Sequence, residues 1–348
     1  LSIVASKTEN VILILDSNGD VEWINEAFVK LNKLTLKELI AQRGNNISSI
    51  SNSDKMQEIL DICKSTKEPY QYDSLNHIND GSRVWESSTI TPIFNKNGRL
   101  SNYIIIDTDI TKRKYAEELL SKKNKDLSDS INYAKRIQNA MMTTVEYIQE
   151  VIPESFVFFN PKDVVSGDFY WVFKNQKGNI FFTVADCTGH GVPGAFMSMI
   201  GTSLLNENII ERGFEDPAEI LTNMRGQIIK SLKQEGGLNK DGMDMALCKL
   251  NSKLNILEFA GAYNPLVLIR DNEIHLIKAD SQPVALYSGQ MKPFTKHEMK
   301  VEKGDMIYIF TDGFADQFGG EKGKKYMSGK FKKFLLSISE MSIEQQEY

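Results

Sequence analysis

Cysteine and histidine are both scarce in this sequence. Its 348 residues hold three cysteines, Cys63, Cys187 and Cys248, and four histidines, none near another along the chain. An odd number of widely spaced cysteines fits neither a disulfide framework nor a zinc cluster and suits a reducing, cytoplasmic compartment. The scattered histidines exclude a histidine-rich metal site. No apolar run approaches the roughly 18 residues that a membrane helix needs, so no membrane segment is expected within this chain. Excess charge is lacking too: 41 basic against 46 acidic residues leave a net charge of -5. That balance gives no grip on a phosphate backbone and argues against a nucleic-acid partner. An initiator methionine is also missing. The chain begins at Leu1 without a signal peptide, which reads as an excised piece of a longer protein.

What is present is enough apolar material, 41% of the residues, to fill real cores, in a chain too long for one ordinary domain. The expected class is α+β, with two globular units and a connector. In residues 1–112, Val11 to Leu15 reads as a buried strand, Asp16-Ser17-Asn18-Gly19-Asp20 as a turn, and Val21 to Asn25 as extended chain before a helix from Glu26. Asp80-Gly81 and Asn97-Gly98 signal hairpins with type I′ turns. Arg83 to Phe94 and Leu100 to Asp107 have the β-branched and aromatic content of a half-buried antiparallel sheet. With Ile24-Asn25-Glu26-Ala27-Phe28 and the closing Asp107-Thr108-Asp109-Ile110-Thr111, these residues resemble a PAS domain. The resemblance implies a curved five-stranded sheet with helices over one face. No motif places polar groups for a ligand, so a PAS fold without a cofactor is expected and any ligand is unknown. His77 reads as a surface-loop residue, not a haem ligand, and no cysteine has a flavin-adduct setting.

Residues 113–150 read as one helix. Leu120, Leu127, Ala134, Met141 and Ile148 recur every seven residues, with Asn124, Ile131, Gln138 and Val145 at the other seam position. A parallel coiled coil and hence a homodimer is expected, with Asn124 and Gln138 fixing register; a helix packing its apolar stripe on its own domains is the alternative. Lys122, Lys123 and Lys125 read as a solvated face. The segment has no histidine to accept a phosphoryl group, which argues against a sensor kinase.

In residues 151–348 an extended apolar run leads repeatedly to an aspartate beside glycine: Ser166-Gly167-Asp168, Ala185-Asp186 through Gly191, and Thr311-Asp312-Gly313. Carboxylates that follow core strands, without histidine or thiolate partners, suit a hard cation such as magnesium or manganese. Such ions clamp a phosphate and activate water, so phosphoester hydrolysis is the favoured reaction. Together with Tyr133 to Gln138, Asp241-Gly242-Met243-Asp244-Met245-Ala246-Leu247, Ala260-Gly261-Ala262-Tyr263-Asn264-Pro265 and Gly304-Asp305, the set resembles the SpoIIE-type branch of the metal-dependent, type 2C-like protein phosphatases. The resemblance implies an α-β-β-α sandwich with two Mn2+ or Mg2+ ions at one end, acting on a phosphoserine or phosphothreonine protein, for example an anti-sigma-factor antagonist.

By the same resemblance Asp186 bridges both ions, the Cys187 carbonyl binds one, and Asp312 holds the other or shares it. Asp168 acts directly or through an intervening water. Asp244 reads as a family signature and a support residue. His190 either protonates the leaving oxygen or shapes the Gly189–Gly191 turn. The Cys187 side chain reads as structural. Pro193 opens a helix to about Glu211, Asp216-Pro217 caps another to about Lys233, and Asp271-Asn272 turns a hairpin. The chain stops at Tyr348 without the family's last acidic strand, which reads as truncation and keeps a non-catalytic, phosphatase-like scaffold as the alternative. A further expectation is that changes in the PAS domain shift the helix and so order the metal site.

Overall fold

The computed structural model describes residue 5 and residues 8–51, 53–77, 83–236, 239–320 and 323–348. The chain forms two compact units, Leu1–Asp126 and Leu127–Tyr348.

The first unit begins with β1 (Val11–Asp16) and β2 (Val21–Ile24), followed by helices α1 (Glu26–Asn32), α2 (Leu36–Arg43), α3 (Ile47–Ile50) and α4 (Met56–Thr66). Then come β3 (Tyr70–His77), β4 (Arg83–Phe94) and β5 (Leu100–Asp109). The strands form one antiparallel sheet in the order β2-β1-β5-β4-β3. In β1 the period-2 alternation buries Val11, Leu13 and Leu15, which pack with Leu39, Leu60, Ile90 and Ile105. Helix entries are local: Asn25 accepts a hydrogen bond from the Phe28 amide, and Thr35 and Glu38 form a capping box.

Two readings of the sequence change here. The hairpin at Asn97-Gly98 stands, but only Gly98 is left-handed, with φ 71°. The Asn95 carboxamide accepts from the amides of Asn97 and Arg99, and this Asx turn replaces the I′ geometry. His77 ends β3 and is not in a loop. The Asp80-Gly81 turn lies outside the described residues.

Helix α5 (Thr111–Met141) follows β5. Near its start Lys114 pairs with Asp73 at 2.7 Å, and the Thr111 hydroxyl accepts from the Trp85 amide at 2.9 Å. The helix ends seven residues short of Ile148. Thr144 caps a new helix, α6 (Val145–Val151), by accepting from the Tyr147 amide. The predicted seam is therefore split: Leu120 and Leu127 are exposed, whereas Gln138 and Ile148 are buried within their own unit. The competing cap and the local burial outweigh the seven-residue period.

The second unit continues with β6 (Phe169–Lys174), β7 (Asn179–Cys187), α7 (Gly191–Leu205), a π-helical turn (Asn206–Glu211) and α8 (Pro217–Ser231). Strands β8 (Met243–Asn251), β9 (Ile256–Ala262), β10 (Leu266–Arg270), β11 (Glu273–Ile277), β12 (His297–Lys300) and β13 (Met306–Ile309) follow. The chain closes with the small hairpin β14 (Phe318–Gly319) and β15 (Lys324–Lys325), then α9 (Ser328–Ile338) and α10 (Ile343–Glu347). A five-stranded sheet, β12-β9-β8-β7-β6, and a three-stranded sheet, β11-β10-β13, are each antiparallel. One face of the larger sheet packs Phe169, Phe181 and Leu247 against Met197 of α7 and Ile220 and Met224 of α8. Its other face packs Ala246, Cys248 and Phe259 against Leu266 and Leu268 of the smaller sheet. That sheet in turn packs Val267, Ile269 and Tyr308 on Phe331 and Leu335 of α9. The layers are thus α-β-β-α, as the resemblance implies. Asp216 caps α8 through the Ala218 and Glu219 amides, and Asp271 and Asn272 both take positive φ in the β10–β11 hairpin.

Candidate metal centre

Strand alternation decides where the acidic side chains go. In β7, Phe181, Thr183 and Ala185 are buried, and Phe181 and Ala185 pack toward the helices; Phe182 and Val184 pack toward the second sheet, and Asp186 shares their face. The β7–β8 register pairs Asp186 with Asp244, on the face that carries Ala246 and Cys248. Asp168 lies one residue before the Phe169–Ala185 pair and so stands level with Asp186. Three carboxylates therefore form a row across β6, β7 and β8 at one end of the inner face. Asp312 enters from the opposite sheet, three residues after β13, beside Thr311, whose hydroxyl donates to Asp168 Oδ2 at 2.7 Å.

The electrostatics follow from this crowding. Burial, then the neighbouring Asp168 and Asp312 within hydrogen-bonding distance, drives the Asp186 carboxyl well above the usual carboxylate range. Burial and Asp312 push Asp244 up to about 6. Such groups share protons unless positive charge is supplied. The donor set, all oxygen, fits a hard divalent cation. Among the described residues no group of three or more His, Cys, Asp or Glu side chains makes a ready-built metal cage. What the structure shows is a carboxylate cluster in mutual contact, not a finished coordination shell. Its convergence rests on the Asp168 and Asp312 contacts of Asp186 and on the β7–β8 pairing.

Glycines allow the surrounding loops to close. A Cβ on Gly167 would stand 2.7 Å from the Gly189 carbonyl oxygen and 3.2 Å from that of Cys187, and one on Gly194 would stand 2.5 Å from the Gly189 oxygen. The Cys187 carbonyl thus lies against the Ser166–Asp168 loop.

A family profile described as Stage II sporulation protein E (SpoIIE) matches residues 176–345, and a PAS-domain profile matches residues 9–112. The SiaA-PP2C domain of Pseudomonas aeruginosa is 30% identical in sequence, with the match covering 65% of this chain and 87% of that one at a TM-score of 0.58. The chain belongs to the SpoIIE family. Phosphoserine phosphatase RsbU of Bacillus subtilis (strain 168) is 23% identical over 193 residues, 55% of each chain. A blue-light-activated histidine kinase of Brucella anthropi is 24% identical over 137 residues, 37% of this chain and 28% of that protein. The chain spans about half the length, or less, of these curated relatives.

Within this SpoIIE unit, not every expected residue joins the cluster. His190 Nδ1 pairs with Asp163 Oδ2 at 2.8 Å, and the ring is largely exposed. It precedes α7 without capping it through its side chain. The Cys187 thiol is buried, and burial followed by Asp186, Asp168 and Asp244 raises it well above the ordinary thiol range, so it stays protonated and inert as a nucleophile.

Gln138 was expected on a coil seam, but it is buried. Its amide nitrogen donates to the Ser166 carbonyl at 2.6 Å and the Ser198 hydroxyl at 2.7 Å, and its oxygen accepts from the Ser166 amide at 3.1 Å. The end of α5 is thereby fastened two residues from Asp168. Thr311 and Asp163 also escaped the sequence reading, because their roles depend on partners distant in the chain. Asp244 carried a signal, as a lone acid in the apolar run Met243 to Leu247.

Proposed function

We propose that this chain is a signal-regulated, metal-dependent protein serine/threonine phosphatase. The observation that carries the reading is the meeting of Asp168, Asp186 and Asp312, from two sheets, in one cluster. Asp186 would be the central ligand, with Asp168, Asp312 and the Cys187 carbonyl around it and Asp244 adding charge beside it. Two Mn2+ or Mg2+ ions fit this donor set. When bound, they supply Lewis-acid polarisation of the phosphate and acidify the attacking water. The chain's own residues hold and orient: Thr311 fixes the Asp168 carboxylate through their hydrogen bond. Gln138 holds the backbone that carries Asp168. His190, paired with Asp163, serves in this reading as a part of the Gly189–Gly191 turn.

The substrate is a phosphoserine or phosphothreonine protein, a reading that the likeness to a phosphoserine phosphatase supports; an anti-sigma-factor antagonist is one such protein. We place the protein in the cytoplasm, as a homodimer through α5, with the PAS unit controlling the site along that helix. Among the described residues no helix is long and apolar enough to cross a membrane.

The test is hydrolysis of p-nitrophenyl phosphate and of a phosphoserine protein with and without Mn2+. Manganese-dependent turnover is expected, and Asp186→Asn is expected to reduce it on the order of a hundredfold or more. Turnover unaffected by chelation would remove the metal from the mechanism. No turnover at saturating Mn2+ would favour the scaffold reading. Equal rates with and without the PAS unit, whatever is added, would refute control by that unit.

A further inference from the structure

The PAS unit has a part-open cavity of about 90 Å³ between its sheet and α1 to α4. Its walls are not alike. Leu13, Phe28, Ile47 and Met56 are among the apolar residues of one part. Opposite them, β3, β4 and β5 contribute polar side chains in register: Tyr72 pairs with Ser88 and Ser88 with Asp107, while Ser74 pairs with Glu86. Two carboxyl groups, Glu86 and Asp107, therefore line one small space.

Among the described residues no cation shifts either acid. Asp107 is half-buried as a whole, but its Oδ1 is closed off from solvent and has no hydrogen-bond partner among the described residues. The Ser88 hydroxyl is within hydrogen-bonding reach of the same carboxyl. Glu86 accepts a hydrogen bond from the Asn76 carboxamide. Arg43 also lines the cavity, but it has an interaction of its own and does not figure among the groups that shift either acid. A buried acceptor without a donor is destabilising, and folds retain such groups where something else completes them.

We propose that this cavity binds a small organic cation, with an ammonium group donating to Asp107 Oδ1 and Glu86 and a compact apolar body against Phe28, Ile47 and Met56. Size supports a small ligand. Space of this order holds several water-sized positions, hence roughly five to ten non-hydrogen atoms, far fewer than a flavin or a haem. Charge supports a cation, since two carboxyl groups in a low-dielectric space favour a donor with positive charge over a neutral one. The ligand is thus a candidate signal for the PAS unit, and its binding does not depend on the phosphatase reading.

Isothermal titration calorimetry on the full chain, with n-butylammonium chloride as probe and 1-butanol and butyrate as controls of equal size, tests this. Saturable heat is expected for butylammonium alone, weakened on the order of tenfold or more by Asp107→Asn. The amide is isosteric and uncharged, so this variant is expected to fold, with circular dichroism as the check. Glu86→Gln supplies the same comparison if it does not. Absence of heat with the wild-type chain, equal binding of 1-butanol, or unweakened binding by the folded variants would each overturn the proposal.

Discussion

Asp107 shows what burial does to one carboxyl group. Removal from water, and then the charge of Glu86, moves it from 3.8 to about 7. In the unfolded chain the group ionises near its ordinary value, whereas the folded PAS unit holds its proton until near neutrality. Its stabilising contribution is therefore complete below about pH 4 and is lost as pH rises toward 7, a span worth at most roughly 4 kcal/mol. Urea denaturation across that range should show the PAS transition weakening with pH, and Asp107→Asn should remove most of the slope. A slope identical in both proteins would assign it to other groups. Gly194 presents a steric counterpart. It is helical, so conformational freedom is not the issue; the Gly189 oxygen and Gly167 Cα occupy the space where a side chain would go. Gly194→Ala should force these backbones apart and destabilise the second unit by about 2 kcal/mol or more. Differential scanning calorimetry with a paired drop in Mn2+ affinity is the check.

At the level of elements, the turns are the most local features. Asp16 and Asn175 accept hydrogen bonds from the amides two and four residues on, as Asn95 does, and each turn has a glycine at positive φ three residues after the acceptor. Such short-range bonds need no tertiary partner, so the strand ends at Asp16 and beside Asn97-Gly98 were legible in the sequence. The end of α5 was not. Its apolar period continues through Val145 and Ile148, but Thr144 caps a new helix, and Gln138 faces the Ser166 loop of its own unit. Gln138→Ala would leave the Ser166 amide and carbonyl without their partner. A loss of about 2–3 kcal/mol is expected from the unsatisfied groups. Loosening next to Asp168 should also lower turnover at saturating Mn2+. Unchanged turnover in a correctly folded variant would show that this latch is only structural.

For the whole molecule, the exposed apolar residues Tyr115, Leu119, Leu120 and Leu127 on α5 bear on assembly. A helix with such a stripe unburied is suited to a partner helix, and a parallel pair brings each seam residue beside its own copy. Leu127→Cys should therefore form a disulfide-linked dimer of the full chain under mild oxidation, seen as a doubled band on a non-reducing gel. A monomer band alone would count against the coil.

By itself the sequence determined strands such as those at Val11 to Leu15 and Arg83 to Phe94, the Asp216 cap and the aspartates that follow core strands, because alternation and capping operate over a few residues. Only the tertiary structure decided that Asp168, Asp186 and Asp244 share a row, that Asp312 meets them from another sheet, and that Asp107 and Glu86 line one cavity. A period of two states which face a residue occupies. It does not state which strand lies beside it or which surface covers that face, and those neighbours set the charge, burial and reach of each group.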